Sequence, residues 1–196
     1  MIKRSEKMQY EFDRLLDDLK NENEDAFNEL LGIYKQGSCR KGETLIQIHK
    51  PCTNLYWITS GIVKQYQDRE DGTRYTKWFV FEGDLLSSPH SFKFGDPSSE
   101  GAEALEDCEF MYMSRADGDA LCEKYSCVNT FFKLLAELYF IEANARVFFM
   151  QAYSAKEKYD HIMKYNSHML LRLPQKEIAS FLGIRKETLS RIRKYS

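Results

Sequence analysis

From about Cys39 to Ser114 the chain is a succession of short apolar runs with no helical period between them. The runs are Thr44-Leu-Ile-Gln-Ile48, Leu55-Tyr-Trp-Ile-Thr59, Ile62-Val-Lys-Gln-Tyr66, Tyr75-Thr-Lys-Trp-Phe-Val-Phe81 and Phe110-Met-Tyr-Met113. Lys41-Gly42, Ser60-Gly61, Asp71-Gly72 and Glu82-Gly83-Asp84 punctuate them. β-Branched and aromatic side chains suit a pleated surface, and glycine supplies turn conformations between strands. Asp71-Gly72, set between two alternating runs, is a hairpin signal. Strands at this spacing predict an antiparallel sandwich or barrel such as a jelly roll.

Helical sequence flanks the β stretch. Residues 8–35 place Phe12, Leu15, Leu16 and Leu19, then Phe27, Leu30, Leu31 and Tyr34, at helical spacing among charges. Two short helices are expected there, the second capped by Asn23 or Asp25, packed as a lid on the strands after them. Residues 115–124 read as a short helix, and about Val128 to Ala152 as a long one. In the long helix Val128, Phe131, Leu135, Leu138, Glu142, Ala145, Phe149 and Ala152 step alternately by three and four, with Glu142 the one polar break. That is coiled-coil spacing. A second apolar set, Phe132, Leu134, Tyr139, Ile141 and Phe148, covers other sides.

A helix apolar on more than one face needs two partners. One face is expected on the β domain and the other on a second copy of the chain. Val128, Phe131, Leu135, Leu138, Ala145 and Phe149 form the expected dimer interface. The competing arrangement buries the whole helix within one chain. Ser154, with Glu157 three residues on, then opens a helix to about Met169 through a capping box.

The last stretch runs from Leu173 to Lys194 and has the spacing of a helix-turn-helix. Ile178, Ala179 and Leu182 share one face of a first helix opened by Pro174, and Gly183 supplies the turn. Ile184, Leu189 and Ile192 are the inward positions of a second helix, and Ala179 is small where the two must approach. Outward stand Arg185, Lys186, Glu187, Thr188, Ser190, Arg191, Arg193 and Lys194. Long cations, one carboxylate and hydroxyls suit phosphate positioning and base-edge reading. The competing reading is a basic helix pair that only caps a core.

Charge is distributed to match the first reading. The whole chain carries only −2, but residues 153–196 hold ten Lys/Arg against four Asp/Glu, a net of +6. The other 152 residues hold 18 against 26, a net of −8. A basic end on an acidic body fits nucleic-acid binding attached to another task. The division expected is a sensor roll with its N-terminal helices over 1–124, a pairing helix over 125–152 and a DNA-binding domain over 153–196.

Several classes are disfavoured. Cys39, Cys52, Cys108, Cys122 and Cys127 are scattered, with no CxxC, so reduced thiols are expected and neither a metal site nor an iron–sulfur cluster. No signal-peptide core opens the chain and no run of about 18 uncharged apolar residues exists, so the cytoplasm is expected. His49, His90, His161 and His168 lack a nucleophile pattern, and no P-loop or GxGxxG occurs. Glu106-Asp107 fits a solvated turn, and the His-x-His spacing of a cupin metal site is missing. The chain is not expected to be an enzyme.

A β-roll, a long pairing helix and a C-terminal helix-turn-helix, in that order, resemble the Crp/Fnr family of bacterial transcription regulators. The carriers are Ser60-Gly61, Asp71-Gly72 and Glu82-Gly83-Asp84-Leu85, then Ala104-Leu-Glu-Asp-Cys-Glu109, and Lys186-Glu-Thr-Leu-Ser-Arg191. The resemblance implies an α+β fold and, as partners, duplex DNA, a second copy and, as a further candidate, RNA polymerase. It implies base reading by Lys186, Glu187 and Arg191, and phosphate contacts from Arg185, Thr188 and Gln175. Arg191 would pair bidentately with guanine and Glu187 would accept from cytosine N4, each worth roughly 1–3 kcal/mol of discrimination.

The departures are as informative. Cyclic-AMP-binding members carry a Gly-Glu-Leu for the ribose and an Arg-Ser for the cyclic phosphate. Laid without gaps from Gly83-Asp84 to Ala104, those positions fall here on Ser87-Ser88-Pro89 and Ser98-Ser99. Losing the Arg removes the charge-assisted bond that anchors an anion. Ser87, Ser88, His90, Ser98 and Ser99 are the candidate lining of some other small pocket, for an effector the sequence does not name, or part of a merely solvated loop. No cofactor is expected: residues 1–38 contain no Cys for an iron–sulfur cluster, and His49 and His90 alone make a poor haem case. The family's β-hairpin wing is not found up to Ser196, and a helix-turn-helix lacking a full wing is expected. The rival function is a ligand-binding or protein-interaction roll whose C-terminal helices are structural.

Overall fold

The structure, a computed structural model, describes residues 6–165 and 167–194. Helices α1 (Glu6–Glu22) and α2 (Glu24–Gly32) precede β1 (Lys35–Cys39), β2 (Thr44–Ile46), β3 (Asn54–Ser60), β4 (Val63–Asp68), β5 (Arg74–Val80) and β6 (Leu85–Leu86). A short helix α3 (Pro89–Phe94) leads to β7 (Gly101–Ala104) and β8 (Cys108–Ser114). Then come α4 (Arg115–Lys124), α5 (Ser126–Ala152), α6 (Ala155–Tyr165), α7 (Ser167–Arg172), α8 (Gln175–Leu182) and α9 (Lys186–Lys194).

The strands form two antiparallel four-stranded sheets, ordered β1-β8-β3-β6 and β2-β7-β4-β5. Ile46, Ile58, Val63, Val80, Leu86, Ala102, Ala104 and Cys108 fill the space between them. This is the expected sandwich. The Asp71-Gly72 hairpin joins β4 to β5, closed by Arg69 N donating to Thr73 O at 2.8 Å, with Gly72 at φ 77°. Asn23 caps α2, its Oδ1 accepting from Ala26 N at 2.9 Å. Ser154 and Glu157 form the capping box, Glu157 Oε2 accepting from Ser154 N at 2.8 Å.

Strands β1, β6 and β7 lack the apolar runs that mark the others. Lys35-Gln-Gly-Ser-Cys39 is polar, and it is a strand because its backbone pairs with β8 along its length. The helix expected from Ser154 to about Met169 is two helices, α6 and α7, with Asn166 between them outside the described residues. Leu170 and Leu173 thereby join Tyr159 and Ile162 in one cluster.

Helix α5 is bound on one side to its own chain. Val128, Phe131 and Leu135 are buried against Phe12, Leu15, Leu19, Ala26 and Leu30 of α1 and α2. Phe149 is buried too, its ring 5.4 Å from Tyr153 and 5.1 Å from His161. These four predicted interface residues therefore face inward. The lid helices take the Val128, Phe131 and Leu135 part of the coiled-coil stripe, and Tyr153 and His161 cover Phe149. The opposite side exposes Leu134, Phe140, Ile141, Val147 and Phe148. Leu134, Leu138, Ile141, Ala145, Phe148 and Ala152 step alternately by four and three along it, so exposed Ala145 belongs to this outward seam, while half-buried Leu138, packed against the lid cluster, stands at its edge. Among the described residues no helix is long and apolar enough to cross a membrane.

Candidate nucleic-acid interface and effector pocket

The helix-turn-helix forms as its spacing dictates. Ile178, Ala179, Leu182 and Leu189 are buried, with Ile184 and Ile192 packed against them. Gly183 closes α8 in the left-handed region at φ 69°, its N–H turned back to Ala179 O and Ser180 O. That conformation strains any residue with a Cβ. Leu189 N donates to Arg185 O at 3.1 Å, so Arg185 stands at the start of α9. Gln175, Arg185, Lys186, Glu187 and Arg191 are exposed and Thr188 is half-buried. Ser190, Arg193 and Lys194 are also exposed, giving one basic, hydroxyl-bearing face around α9.

The other side of this head is seated on the roll. Ile62, Phe79, Phe81 and Leu105 share one buried cluster with Ile178, Ala179, Phe181, Leu182 and Leu189. Phe79 and Phe181 rings lie 5.4 Å apart. Above them Lys64 Nζ lies 3.1 Å from Glu177 Oε1 and 3.5 Å from Glu103 Oε1. Thr76 Oγ1 donates to Glu177 Oε2 at 2.7 Å, and Ser180 Oγ accepts from Thr76 N at 2.8 Å. Arg172 adds a clasp to the roll turns, with Nη2 2.7 Å and Nη1 3.1 Å from the Glu82 carboxylate and Nε 3.1 Å from Glu106 Oε1. Burial alone would raise the Glu82 carboxyl, but hydrogen bonds from Arg172 and the backbone, with the guanidinium charge, hold it below its ordinary value.

The predicted effector residues do not converge. Ser88 and Ser98 are buried with their hydroxyls 2.9 Å apart, and Ser98 Oγ also donates to Glu100 O at 2.7 Å. Ser87 is half-buried, its carbonyl accepting from Gln65 Nε2 at 2.7 Å. His90 is exposed, Nε2 lying 3.0 Å from Asp96 Oδ2, and Ser99 is exposed as well. Ser87, Ser88 and Ser98 hold the segment around α3 to the roll, while His90 and Ser99 point away from them into solvent.

Sequence reasoning missed the ionic cluster beside this segment. Lys77 pairs with buried Glu100, and Glu100 Oε2 has no hydrogen-bond partner among the described residues. From α5, Arg146 lies with its guanidinium 4.2 Å from the Trp78 ring and 5.1 Å from the Phe181 ring. Burial pushes this guanidinium down to about 9, while the Glu100 and Glu142 carboxylates oppose the shift. One wedge thus touches roll, long helix and head. A signal existed: Glu142, the polar break in the inward seam, is four residues before Arg146 on the same side of the helix.

Residues 36–125 match the family model of the cyclic nucleotide-binding domain. No curated protein matches the chain. Among solved structures it is similar to FixK2 from Bradyrhizobium japonicum, with a TM-score of 0.70 at 20% identity over 83% of this chain and 84% of that one. A transcriptional regulator of the Crp/Fnr family from Eubacterium rectale gives 0.66 at 18% identity, covering 90% and 85%. The catabolite activator protein of Thermus thermophilus gives 0.54 at 21%, covering 87% and 82%. At such identities the likeness is one of fold.

Proposed function

We propose that this chain, whose residues 36–125 match the cyclic nucleotide-binding domain and whose fold is similar to that of a Crp/Fnr regulator, is a dimeric DNA-binding transcriptional regulator. The observation that carries the reading is the polarity of α9. Its apolar side is sealed into the core, and its exposed side holds Lys186, Glu187, Ser190, Arg191, Arg193 and Lys194. A capping helix pair has no need of so many cations on one solvent face. Lys186, Glu187 and Arg191 read base edges in the major groove, and Arg185, Thr188 and Gln175 hold phosphates. Two copies joined along the outward seam of α5 present two heads to two half-sites. The parts 1–124, 125–152 and 153–196 then serve as roll, pairing helix and reading head.

The rival reading, a roll with structural C-terminal helices, draws on the shared cluster of roll and head. Duplex binding separates the two. On the order of six phosphate contacts per dimer give a log–log salt slope of roughly −5. Arg191→Ala and Lys186→Ala are each expected to weaken binding to a selected duplex by about tenfold or more and to relax choice at the base they read. Unchanged affinity in both variants would sink the base-reading assignment.

The roll is proposed not to answer cyclic AMP. The phosphate-anchoring Arg is absent at Ser98, Ser98 is engaged with Ser88 and Glu100, and Lys77 is neutralised by Glu100. An anion brought to this place would meet carboxylates already seated beside the cations. Titration calorimetry is expected to detect no cyclic-AMP binding, and a micromolar or tighter isotherm would overturn this.

A further inference from the structure

We propose that Lys64 and Thr76 of the roll are positioning residues for DNA reading. With Glu177 and Ser180 of α8 they form a latch that holds the head at one orientation, so that a pair of chains reads half-sites at one spacing. The inference rests on α9 being the DNA-contacting helix, and it adds what fixes that helix in space.

Three observations carry it. The Lys64–Glu177 pair is withdrawn from water, with side chains 10% and 14% exposed, so salt screens it far less than the exposed pairs elsewhere. Glu177 is fully used: one oxygen faces Lys64 and the other accepts from Thr76 Oγ1. A carboxylate on the first helix of a DNA-binding head would repel phosphate, and here the roll neutralises it. Beneath the latch, Phe79, Phe81 and Phe181 are at most 1% exposed. Swinging the head would return these rings to water and leave a buried charge unpaired, both costly. Head orientation is therefore set at this junction, where the rings hold the head down and the latch fixes its angle, and not by a flexible linker.

Orientation matters because dimeric helix-turn-helix proteins read half-sites about one DNA turn apart. A rigid head tolerates little change in that spacing. A head freed to rotate would follow a displaced half-site at the expense of pre-organisation.

The test uses the full chain and a duplex selected by the wild-type protein from a random pool, then rebuilt with one base pair added or removed between half-sites. Wild type is expected to lose on the order of tenfold in affinity at the altered spacing, as for a lost base contact. In Glu177→Gln and Thr76→Val the loss should shrink to under about threefold, with base preference within each half-site unchanged. A merely structural role would lower binding equally at every spacing. Variants that keep the wild-type spacing penalty, or bind more tightly at all spacings, overturn the proposal. If wild type selects no duplex, the reading of α9 fails first and the latch loses its task. Hydrogen exchange on the wild type gives an independent check. The Thr76 amide, held by Ser180 Oγ, should exchange as slowly as roll-core amides such as Val80, and rapid exchange would show a head that is not latched.

Discussion

Replacing Ile141 and Phe148 together by Asp is expected to leave a folded monomer that binds a two-half-site duplex on the order of a hundredfold more weakly. Both side chains stand out from α5, 58% and 63% exposed, so the charges enter water in the monomer, and Phe148 gives up an edge contact with the Tyr153 ring, 6.1 Å between centroids. Set against a second copy they would be desolvated in a like-charged pair, which the seam cannot absorb. Each head would then bind alone, without the effective concentration its twin supplies. Sedimentation measures the first half of this result and fluorescence anisotropy the second. A dimer persisting in the double variant would place the pairing surface elsewhere. The inward stripe gives the contrast. Leu135→Ala, facing α1 and α2, should cost about 2–5 kcal/mol of folding stability without altering the association state.

That contrast marks a limit of reading the long helix from sequence. Coiled-coil spacing was legible, and so was the apolar character of more than one face. Which face the chain's own lid takes was not, because two seams interleave and share Leu138, Ala145 and Ala152. The choice is made by Phe12, Leu15 and Leu19, more than a hundred residues away, which bury Val128, Phe131 and Leu135. Local pattern carries no record of so distant a partner.

Elsewhere legibility followed how much of an element's stability is local. The helix-turn-helix was readable residue by residue, since its inward positions, its glycine turn and its small residue at the crossing are all set by nearest neighbours. The Asp71-Gly72 hairpin and the Asn23 and Ser154 caps were readable for the same reason. Polar β1 was not, because only the register with β8 makes it a strand. The effector residues were placed by alignment to a family pattern, and alignment does not say which way a side chain points. Lys64, Thr76 and Glu177 escaped notice because each looks like an ordinary solvated residue in its own stretch. They acquire a role only when the head settles on the roll, across more than a hundred positions.

Phe181 is the other residue whose sequence position understates it, and Phe181→Ala is the second large effect expected. Its ring is packed 5.4 Å from Phe79 and lies 5.1 Å below the Arg146 guanidinium, at 1% exposure. Truncation should cost about 3–5 kcal/mol, the range for a buried aromatic. It also leaves Arg146 without one of its two flanking rings, so a charge already held in a dry place loses part of its compensation. The loss falls on the only cluster that roll and head share through α8 among the described residues, and it should therefore appear as a loss of cooperativity as well as of stability. Two tryptophans report the two regions. Trp57 of β3 packs beneath the lid, 5.8 Å from Phe12 between centroids, while Trp78 of β5 lies under Arg146 at the junction. In wild type both should change in one urea transition, because unseating the head returns Ile62, Phe79, Phe81 and Leu105 of the roll to water. In Phe181→Ala, the Trp78 signal should move to lower urea and separate from that of Trp57. Coincident transitions in the variant would mean that the remaining shared cluster, with Arg172, Lys64 and Thr76, suffices to hold head and roll together, and that the Phe181 ring is dispensable for their coupling.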